Sequence, residues 1–408
     1  MRQKVLFISN GHGEDLNGGL ILKALSQQWP ELELAAMPIV GEGNTYRQMG
    51  ATIIGPTKNL PSGGFIYMNR WKFVEDLQSG LLSLLWRQFQ VIWEYSQNCT
   101  TIFATGDIVV LFMAYLTGKS FTVFMVSSSA YYENKIRLPL FTNWFMRSQR
   151  CQTIFTRDQY TAEVLHKQGL TKAIFAGYPV MDVLKSTGQN LYLSLTEPLV
   201  AMLPGSRLPE SAVNLGILLD LAIATHKEKN TVQFRLALTS NLLEIDQQGT
   251  SPLQRTVLTK GWQDLGDGWL CYAPEQIKIY YTSKAFADIL VQSSIVVGMA
   301  GTAIEQAVGL GKPVIQIPGN GPQFTYRFAE AQMRLLGDSV QTIGRCASPQ
   351  TIIEAAQAIH HTLADQEYLK RCQVNGLERV GQPGGSVAIA QTFYERMQDL
   401  VQQNACNS

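Results

Sequence analysis

The sequence predicts an α/β protein built from two doubly wound domains, each a parallel sheet with helices on both faces. Its 408 residues suffice for two domains. Short apolar runs alternate with segments of helical periodicity along the chain, a pattern typical of parallel sheets covered on both faces. A polar, turn-rich stretch from Ser186 to Pro198 separates two such alternations. We interpret it as the linker between the domains.

The apolar runs predict the strands of the two sheets. Those of the first half are KVLFIS, TIFATG, FTVFMV, TIFT and AIFAG, and those of the second are LVAMLPG, FRLALT, IVVGMAG and PVIQIP. Helical periodicity lies between them, for example from Leu16 to Trp29 and from Ala285 to Ser293. This order predicts a first domain over residues 1–185 and a second over residues 199–385.

A Pro/Gly break near residue 383 precedes one more helix. Its apolar side chains fall on one stripe, which comprises Val387, Ala390, Phe393, Met397 and Leu400. We expect this helix, over residues 386–408, to pack back on the first domain.

Composition excludes several classes of protein. The net charge of +1 argues against a nucleic-acid binder. Six scattered cysteines without a CxxC pair indicate a reduced chain with no structural zinc or disulfide framework. No apolar stretch reaches the roughly 18 residues of a membrane span, and the N-terminus resembles a first strand rather than a signal peptide. We expect a cytoplasmic protein, either free or peripheral on the inner face of the membrane.

Four familiar site patterns are missing from this sequence. The first strand–turn, SNGHGEDLNGG, has Leu16 where a dinucleotide fingerprint requires glycine, and LTGKS has Met113 where a P-loop requires glycine. There is no D-x-D motif, and no histidine spacing suits a metal. We therefore expect neither a bound cofactor nor a metal.

Three turns that follow predicted strands are suited to anions: GHGED at 11–15, LPGSRLPE at 203–210 and GMAGTAIE at 298–305. Ligands of open α/β sheets bind outside the carboxyl ends of the strands. After Gly205 turns the chain, Ser206 offers a hydroxyl and Arg207 a cationic fork. Gly301 and Thr302 begin a helix whose backbone N–H groups favour a diphosphate.

Glu305 follows in the first turn of that helix. Its carboxylate can accept hydrogen bonds from both hydroxyls of a ribose. This acid, together with a helix start that favours phosphate, predicts a nucleoside-diphosphate site. The alternative is an acid that only stabilises the helix start, by about 0.3–1 kcal/mol.

Four segments, SNGHGEDLNGG, LPGSRLPE, AGYPVMD and GTAIEQAVGLGKPVI, resemble the lipid-A-disaccharide synthases, in particular their related subgroup. The resemblance covers nearly the whole chain. It implies a GT-B fold, with two Rossmann-like domains facing a cleft. It also implies inverting, metal-independent transfer of a sugar from a UDP-sugar, the donor substrate, to a lipid-linked or glycolipid acceptor. In the first turn, Glu14 stands where the family has glycine.

The resemblance also carries site residues over. It implies Asp107 as the general base, Asp15 in the first turn, and Arg207, Glu210 and Glu305 on the donor motifs. Gln323 and Thr325 are further candidates to face the leaving diphosphate. His12 competes with Asp107 as the base, because a histidine titrates near neutrality. Asp107 can instead be an N-cap, and Glu14 and Asp15 can cap the first helix.

Two segments combine aromatic and basic residues, as an interfacial helix on anionic lipid does. One runs from Phe65 to Tyr95, where Trp86, Phe89 and Trp93 share a helical face, and the other is NKIRLPLFTNWFMRSQR at 134–150. The alternative is that these aromatic side chains are core.

Two rival functions stay open. A UDP-sugar 2-epimerase on the same fold needs acids around the sugar's C2 and no apolar docking surface. A non-catalytic protein that binds nucleotide sugars or lipids needs no base.

Overall fold

The structure, a computed structural model, describes residues 3–57, 81–229, 231–247, 249–319, 321 and 323–407. It divides into two compact units. Unit 1 comprises Met1–Asp182 and Gln382–Ser408, and unit 2 comprises Val183–Gly381.

Unit 1 is built on sheet 1, seven parallel strands in the order β3-β2-β1-β4-β5-β6-β7. In the central strands nearly every side chain is buried, because helices cover both faces. The strands are β1 Lys4–Ser9, β2 Glu33–Pro38, β3 Thr52–Ile53, β4 Thr101–Thr105, β5 Phe121–Met125, β6 Cys151–Thr156 and β7 Ala173–Ile174.

Seven helices of unit 1 are described, and all but the last precede unit 2 in the chain. They are α1 His12–Gln28, α2 Asn44–Gln48, α3 Leu81–Ser96, α4 Ile108–Leu116, α5 Leu140–Arg147, α6 Gln159–Lys167 and, after unit 2, α14 Gly385–Asn407.

The C-terminal helix α14 packs on α1 and closes one face of sheet 1. Phe393 is buried edge-on against Phe103 of β4, with ring centroids 5.1 Å apart. Tyr394 stacks on Trp29 at 4.0 Å. Val387, the first residue of the apolar stripe, is 49% exposed and lies outside this core.

Unit 2 is built on sheet 2, eight strands in the order β10-β11-β12-β9-β8-β13-β14-β15. The strands are β8 Leu199–Leu203, β9 Gln233–Ala237, β10 Gln263–Gly266, β11 Trp269–Tyr272, β12 Ile277–Thr282, β13 Ile295–Gly298, β14 Val314–Gln316 and β15 Val340–Thr342.

One edge of sheet 2 departs from the expected parallel arrangement. Strands β10, β11 and β12 pair antiparallel. The strands from there to the other edge, in the sheet order β12-β9-β8-β13-β14-β15, pair parallel. Only Asp267 and Gly268 join β10 to β11, and both have positive φ angles, of 49° and 83°. Two residues make a hairpin but are too few for the crossover of a parallel pair.

The helices of unit 2 that are described lie on both faces of sheet 2. They are α7 Glu210–Glu228, α8 Pro252–Thr259, α9 Phe286–Gln292, α10 Thr302–Gly309, α11 Tyr326–Leu336, α12 Pro349–Ala364 and α13 Gln366–Arg379. The predicted linker begins on α9, where the buried carboxylate of Asp288 accepts hydrogen bonds from Ser186, Thr187 and Gly188.

In unit 1 the segment before residue 183 is fastened to the segment after residue 381. The carboxylate of Asp182 accepts hydrogen bonds from the backbone N–H groups of Gly384 and Ser386. A Cβ atom on Gly385 would lie 2.6 Å from the backbone nitrogen of Tyr178, so only glycine permits this approach. Within the described residues, no helix has the length and apolarity needed to cross a bilayer.

Candidate active site

The carboxyl edge of sheet 2 gathers two of the turns that the sequence singles out, together with the turn that carries the candidates Gln323 and Thr325. They are residues 204–209 between β8 and α7, 299–301 between β13 and α10, and 317–325 between β14 and α11. Strands β8, β13 and β14 are parallel neighbours, so their carboxyl ends meet. This is the position at which open α/β sheets bind ligands.

The first turn lies against the second. Gly205 has a φ of +90°, and a Cβ atom there would lie 2.8 Å from the carbonyl oxygen of Met299. Two asparagines hold the turn: Asn214 Nδ2 donates to the Pro204 carbonyl and Asn241 Nδ2 to the Ser206 carbonyl. The side chains of Ser206 and Arg207 that follow are exposed.

Glu210 holds the third turn. Its buried carboxylate accepts hydrogen bonds from the backbone N–H groups of Gln323, at 3.0 Å, and Phe324, at 2.7 Å. A Cβ atom on Gly321 would lie 2.4 Å from Glu210 Cδ. Glu210 and the backbone N–H of Gln323 therefore shape this edge through the hydrogen bond between them. Direct contact of either residue with the donor substrate, a UDP-sugar, stays a prediction.

Helix α10 begins at this edge, and no side chain of the described residues caps its N-terminus. Its N-cap is Gly301, which has no side chain to cap the helix, and Thr302 is exposed. The Gly301 carbonyl accepts a hydrogen bond from Gln332 Nε2 at 2.9 Å. Glu305 lies in the first turn and is half-buried. Thr325, in contrast, caps α11 by accepting from Phe328 N.

The carboxyl edge of sheet 1 is a second cluster of polar groups. The neighbouring strands β1, β4 and β5 end there. Asn10 follows β1, Asp107 follows β4 and Ser127 follows β5. Glu14 reaches the same edge from α1.

Asp107 is the N-cap of α4. Its Oδ1 accepts from the backbone N–H of Val109 and its Oδ2 from Asn10 Nδ2, both at 2.9 Å. Burial raises the pKa of the carboxyl above its usual range, although these hydrogen bonds oppose the rise. The capping alternative is thus realised, and Asp107 as a whole residue is half-buried. Its role as general base stays a prediction.

Glu14, a candidate cap of α1, also lies on this edge. Its Oε1 accepts from Ser127 Oγ at 2.5 Å. Burial raises the pKa of Glu14, and the charge of Asp107 raises it further. A Cβ atom on Gly106 would lie 3.2 Å from Glu14 Cγ, which shows how closely the two acidic segments approach. The signal in the sequence was that Glu14 stands where the family that the sequence resembles has glycine.

Asp15 lies beneath this edge rather than on it. It is 3% exposed, and its Oδ1 accepts from Ser9 Oγ at 2.5 Å. Burial raises the pKa of Asp15 to about 6. A direct catalytic role for Asp15 stays a prediction. His12 is the first residue of α1, and the prediction about its side chain lies outside what the structure describes.

In the part of the chain that the structure describes, no three His, Cys, Asp or Glu side chains are grouped as ligands for a metal ion.

No protein-family model and no curated protein matches this sequence. Solved structures do resemble the fold. The UDP-GlcNAc 2-epimerase of Neisseria meningitidis bound to UDP-GlcNAc matches with a TM-score of 0.54 at 13% identity, over 98% of this chain and all of that one. The S. aureus MnaA–UDP co-structure matches at 0.56 and 14%, over 97% of each chain.

The calicheamicin glycosyltransferase CalG4 matches with a TM-score of 0.61 at 13% identity, over 97% of this chain and 99% of that one. At such identities the likeness shows the fold. The prediction of two Rossmann-like domains of the GT-B type is confirmed.

Proposed function

We propose that this protein is an inverting, metal-independent glycosyltransferase, similar to the lipid-A-disaccharide synthases. It moves a sugar from a UDP-sugar to a lipid-linked or glycolipid acceptor and uses no further cofactor.

The observation that carries the proposal is the start of α10. The first turn of a helix offers unpaired backbone N–H groups and a partial positive charge to a diphosphate. Gly301 and Thr302 provide them, with the exposed Arg207 on the adjoining turn. Glu305, in the first turn of the same helix, is suited to accept hydrogen bonds from the ribose hydroxyls. The neighbours named above with UDP or UDP-GlcNAc support uridine as the nucleoside.

The reaction forms a bond between an acceptor oxygen and the anomeric carbon while the bond from that carbon to the diphosphate breaks. Asp107 takes the proton of the attacking hydroxyl, which contributes roughly 10²–10⁴-fold to the rate. The raised pKa of Asp107 strengthens it as a base. Arg207 and the start of α10 stabilise the negative charge that develops on the leaving UDP.

Calorimetric titration with UDP, ADP and GDP tests the donor site. We expect selective binding of UDP, and a loss of about 10- to 100-fold in affinity for Glu305→Ala and for Arg207→Ala, since each variant removes hydrogen bonds to a charged group.

Two matched controls are available for this titration. Glu367 is an exposed acid in the first turn of another helix, α13, and Arg396 is an exposed base of α14 in unit 1. Glu367→Ala and Arg396→Ala should bind UDP as the wild type does. Absence of nucleotide binding by the wild type would overturn the proposal and leave Glu305 as an acid that stabilises its helix.

A UDP-sugar 2-epimerase is the second candidate, because Glu14 and Asp107 bring two carboxyl groups with raised pKa to one edge. An epimerase removes the proton at C2 of the sugar. Incubation of UDP-GlcNAc in D₂O without an acceptor separates the two functions. Deuterium at C2, seen by proton NMR, would establish the epimerase, whereas a transferase leaves that proton in place.

A further inference from the structure

We propose that the outward face of α4 and α5 docks unit 1 on an anionic lipid bilayer. This α4–α5 face consists of five side chains: Phe112, Leu116, Leu140, Phe141 and Trp144. The inference deepens the proposed function, on which it rests for the lipid acceptor, by naming the surface that meets the lipid.

The five side chains are large, apolar and exposed to solvent. Phe112 and Leu116 of α4 are 46% and 42% exposed, and Leu140, Phe141 and Trp144 of α5 are 86%, 69% and 58% exposed. Single exposed apolar residues are ordinary on a protein surface, but a contiguous group on two adjoining helices marks an interaction site.

The two helices present this face as one surface. The ring of Trp144 lies 5.0 Å from that of Tyr115, and the ring of Phe145 lies 4.7 Å from Tyr115 and 5.8 Å from Phe112. Phe145 itself is buried, so for this residue the alternative that the aromatic side chains are core holds. These contacts fasten α5 to α4 from within and leave the five side chains directed outward.

Helix α3 packs beside α4 and carries two more exposed tryptophans, Trp86 and Trp93, at 61% and 51%. Phe89 of the same predicted face is half-buried. The rest of that predicted segment, residues 65–80, lies outside the described residues.

The charge of the chain segment that carries the face favours an anionic bilayer. From residue 108 to residue 150 the sequence holds one acid, Glu133, and five bases: Lys119, Lys135, Arg137, Arg147 and Arg150. The Arg150 guanidinium lies 4.1 Å from the ring of Tyr115, so positive charge reaches the aromatic cluster itself. A symmetric pair of copies joined through this face would bring these bases together and repel. Aromatic side chains flanked by bases instead suit anionic lipid headgroups.

The face is also placed to serve the reaction. Asp107 caps the N-terminus of α4, and a nine-residue helix is only about 13 Å long. A bilayer that receives Phe112 and Leu116 therefore lies within about one short helix of the proposed base. The hydroxyl of a lipid-linked acceptor can reach Asp107 from the headgroup layer.

Vesicle flotation with the full-length protein tests the inference. The probes are vesicles of phosphatidylcholine alone and of an equal mixture with phosphatidylglycerol. We expect binding to the mixed vesicles that falls about tenfold or more in the triple variant Leu140→Gln, Phe141→Gln and Trp144→Gln. The pair Lys135→Gln and Arg137→Gln should weaken the preference for the anionic vesicles.

The matched control changes three exposed apolar residues of unit 2, Ile245, Leu258 and Leu265, to Gln. It should bind vesicles as the wild type does. Equal losses in the face and control variants, or no vesicle binding by the wild type, would overturn the inference. The inference would also be overturned if the wild type bound no vesicles but formed a dimer in sedimentation velocity, and if the face variant were a monomer.

UDP titration of the same face variant separates this inference from the proposed function. The variant should keep the wild-type affinity for UDP. If the wild type binds vesicles but not UDP, the proposed transferase function is overturned and the docking face is retained. If it binds UDP but not vesicles, the docking face is overturned and the donor site is retained.

Discussion

At the scale of single residues, Asp15 links the stability of unit 1 to pH. Burial raises its pKa from 3.8 to about 6, so the folded state favours the protonated carboxyl. The stability that it contributes is complete below pH 3.8 and is lost as pH rises through about 6. From the size of this shift, the loss is about 3 kcal/mol.

Asp15→Asn should remove this dependence. Relative to the variant, the wild type should lose about 3 kcal/mol of unfolding free energy between pH 3 and pH 7, measured by urea denaturation. Ser9→Ala is the informative control. It removes the hydrogen bond that lowers the pKa of Asp15, and the transition should move to higher pH. A constant difference between wild type and Asp15→Asn would contradict the raised pKa.

At the same scale, a substitution of Asp107 separates the rate of sugar transfer from the affinity for the donor nucleotide. Asp107→Asn keeps an oxygen to cap α4 but cannot accept a proton from the acceptor hydroxyl. We expect transfer to fall by roughly 10²–10⁴-fold while UDP affinity, measured by calorimetry, stays unchanged. Unaltered turnover would exclude Asp107 as the base and direct attention to Glu14.

The raised pKa of Asp107 also predicts the pH profile of the reaction. A general base works only when deprotonated, so kcat/KM should fall on the acidic side with a midpoint above the ordinary aspartate value of 3.8. A profile that is flat down to pH 4 would contradict this assignment.

At the scale of elements, one glycine sets how closely α13 approaches the helix that carries the proposed donor site. A Cβ atom on Gly376 would lie 2.1 Å from the carbonyl oxygen of Val308, in the last turn of α10. The neighbouring atom belongs to the backbone, so a larger residue must separate the two helices. Thus α10, with Glu305 near its start, is supported at its other end by Gly376.

Gly376→Ala should destabilise unit 2 by about 2 kcal/mol, because the cost of overpacking exceeds the gain of about 1 kcal/mol in helix propensity. Gly216→Ala in α7 is the matched control. Its Cβ atom would crowd only Lys260 Cε, at 2.9 Å near the end of a side chain that can move aside, whereas Thr256 Cγ2, at 3.6 Å, would be in ordinary contact. Thermal unfolding should find this control neutral or stabilised, and equal effects would contradict the packing argument.

At the scale of the whole molecule, unit 1 is completed by a helix that the chain reaches only after unit 2. Phe393 of α14 is buried against Phe103 of sheet 1. Phe393→Ala should cost unit 1 about 3–5 kcal/mol. Amide hydrogen exchange should accelerate in β1 and β4 and stay unchanged in β8 and β13.

Val387→Ala on the same helix provides the control for this prediction, because Val387 is half exposed. It should leave amide exchange close to that of the wild type. Acceleration in both units with Phe393→Ala would show instead that the two units unfold together.

The apolar runs predicted much of the architecture, because a buried parallel strand leaves a continuous signal. KVLFIS coincides with β1, and FTVFMV contains β5. β10 escaped this reasoning because all four of its residues are exposed, so it has no apolar run. Its pairing became antiparallel through a two-residue connection that the apolar pattern does not encode.

The candidate site was only partly predictable, for a similar reason. Turns after strands can be recognised from Gly, Ser and Arg, but the partner of a side chain depends on which strands become neighbours. Nothing near Glu210 in sequence indicates the amide of Phe324, 114 residues away. Likewise, the contact of Glu14 with Ser127 depends on the order β1-β4-β5 in sheet 1.

The return of α14 to sheet 1 has a consequence for the order in which the protein is made. A ribosome emits the chain from its N-terminus, and domains generally fold as they emerge. Unit 2 is continuous in sequence, so all of it can emerge before α14 does. Sheet 1 is synthesised first, and its face at Phe103 stays uncovered until α14 has been synthesised. In this protein the first unit to be started is the last to be finished.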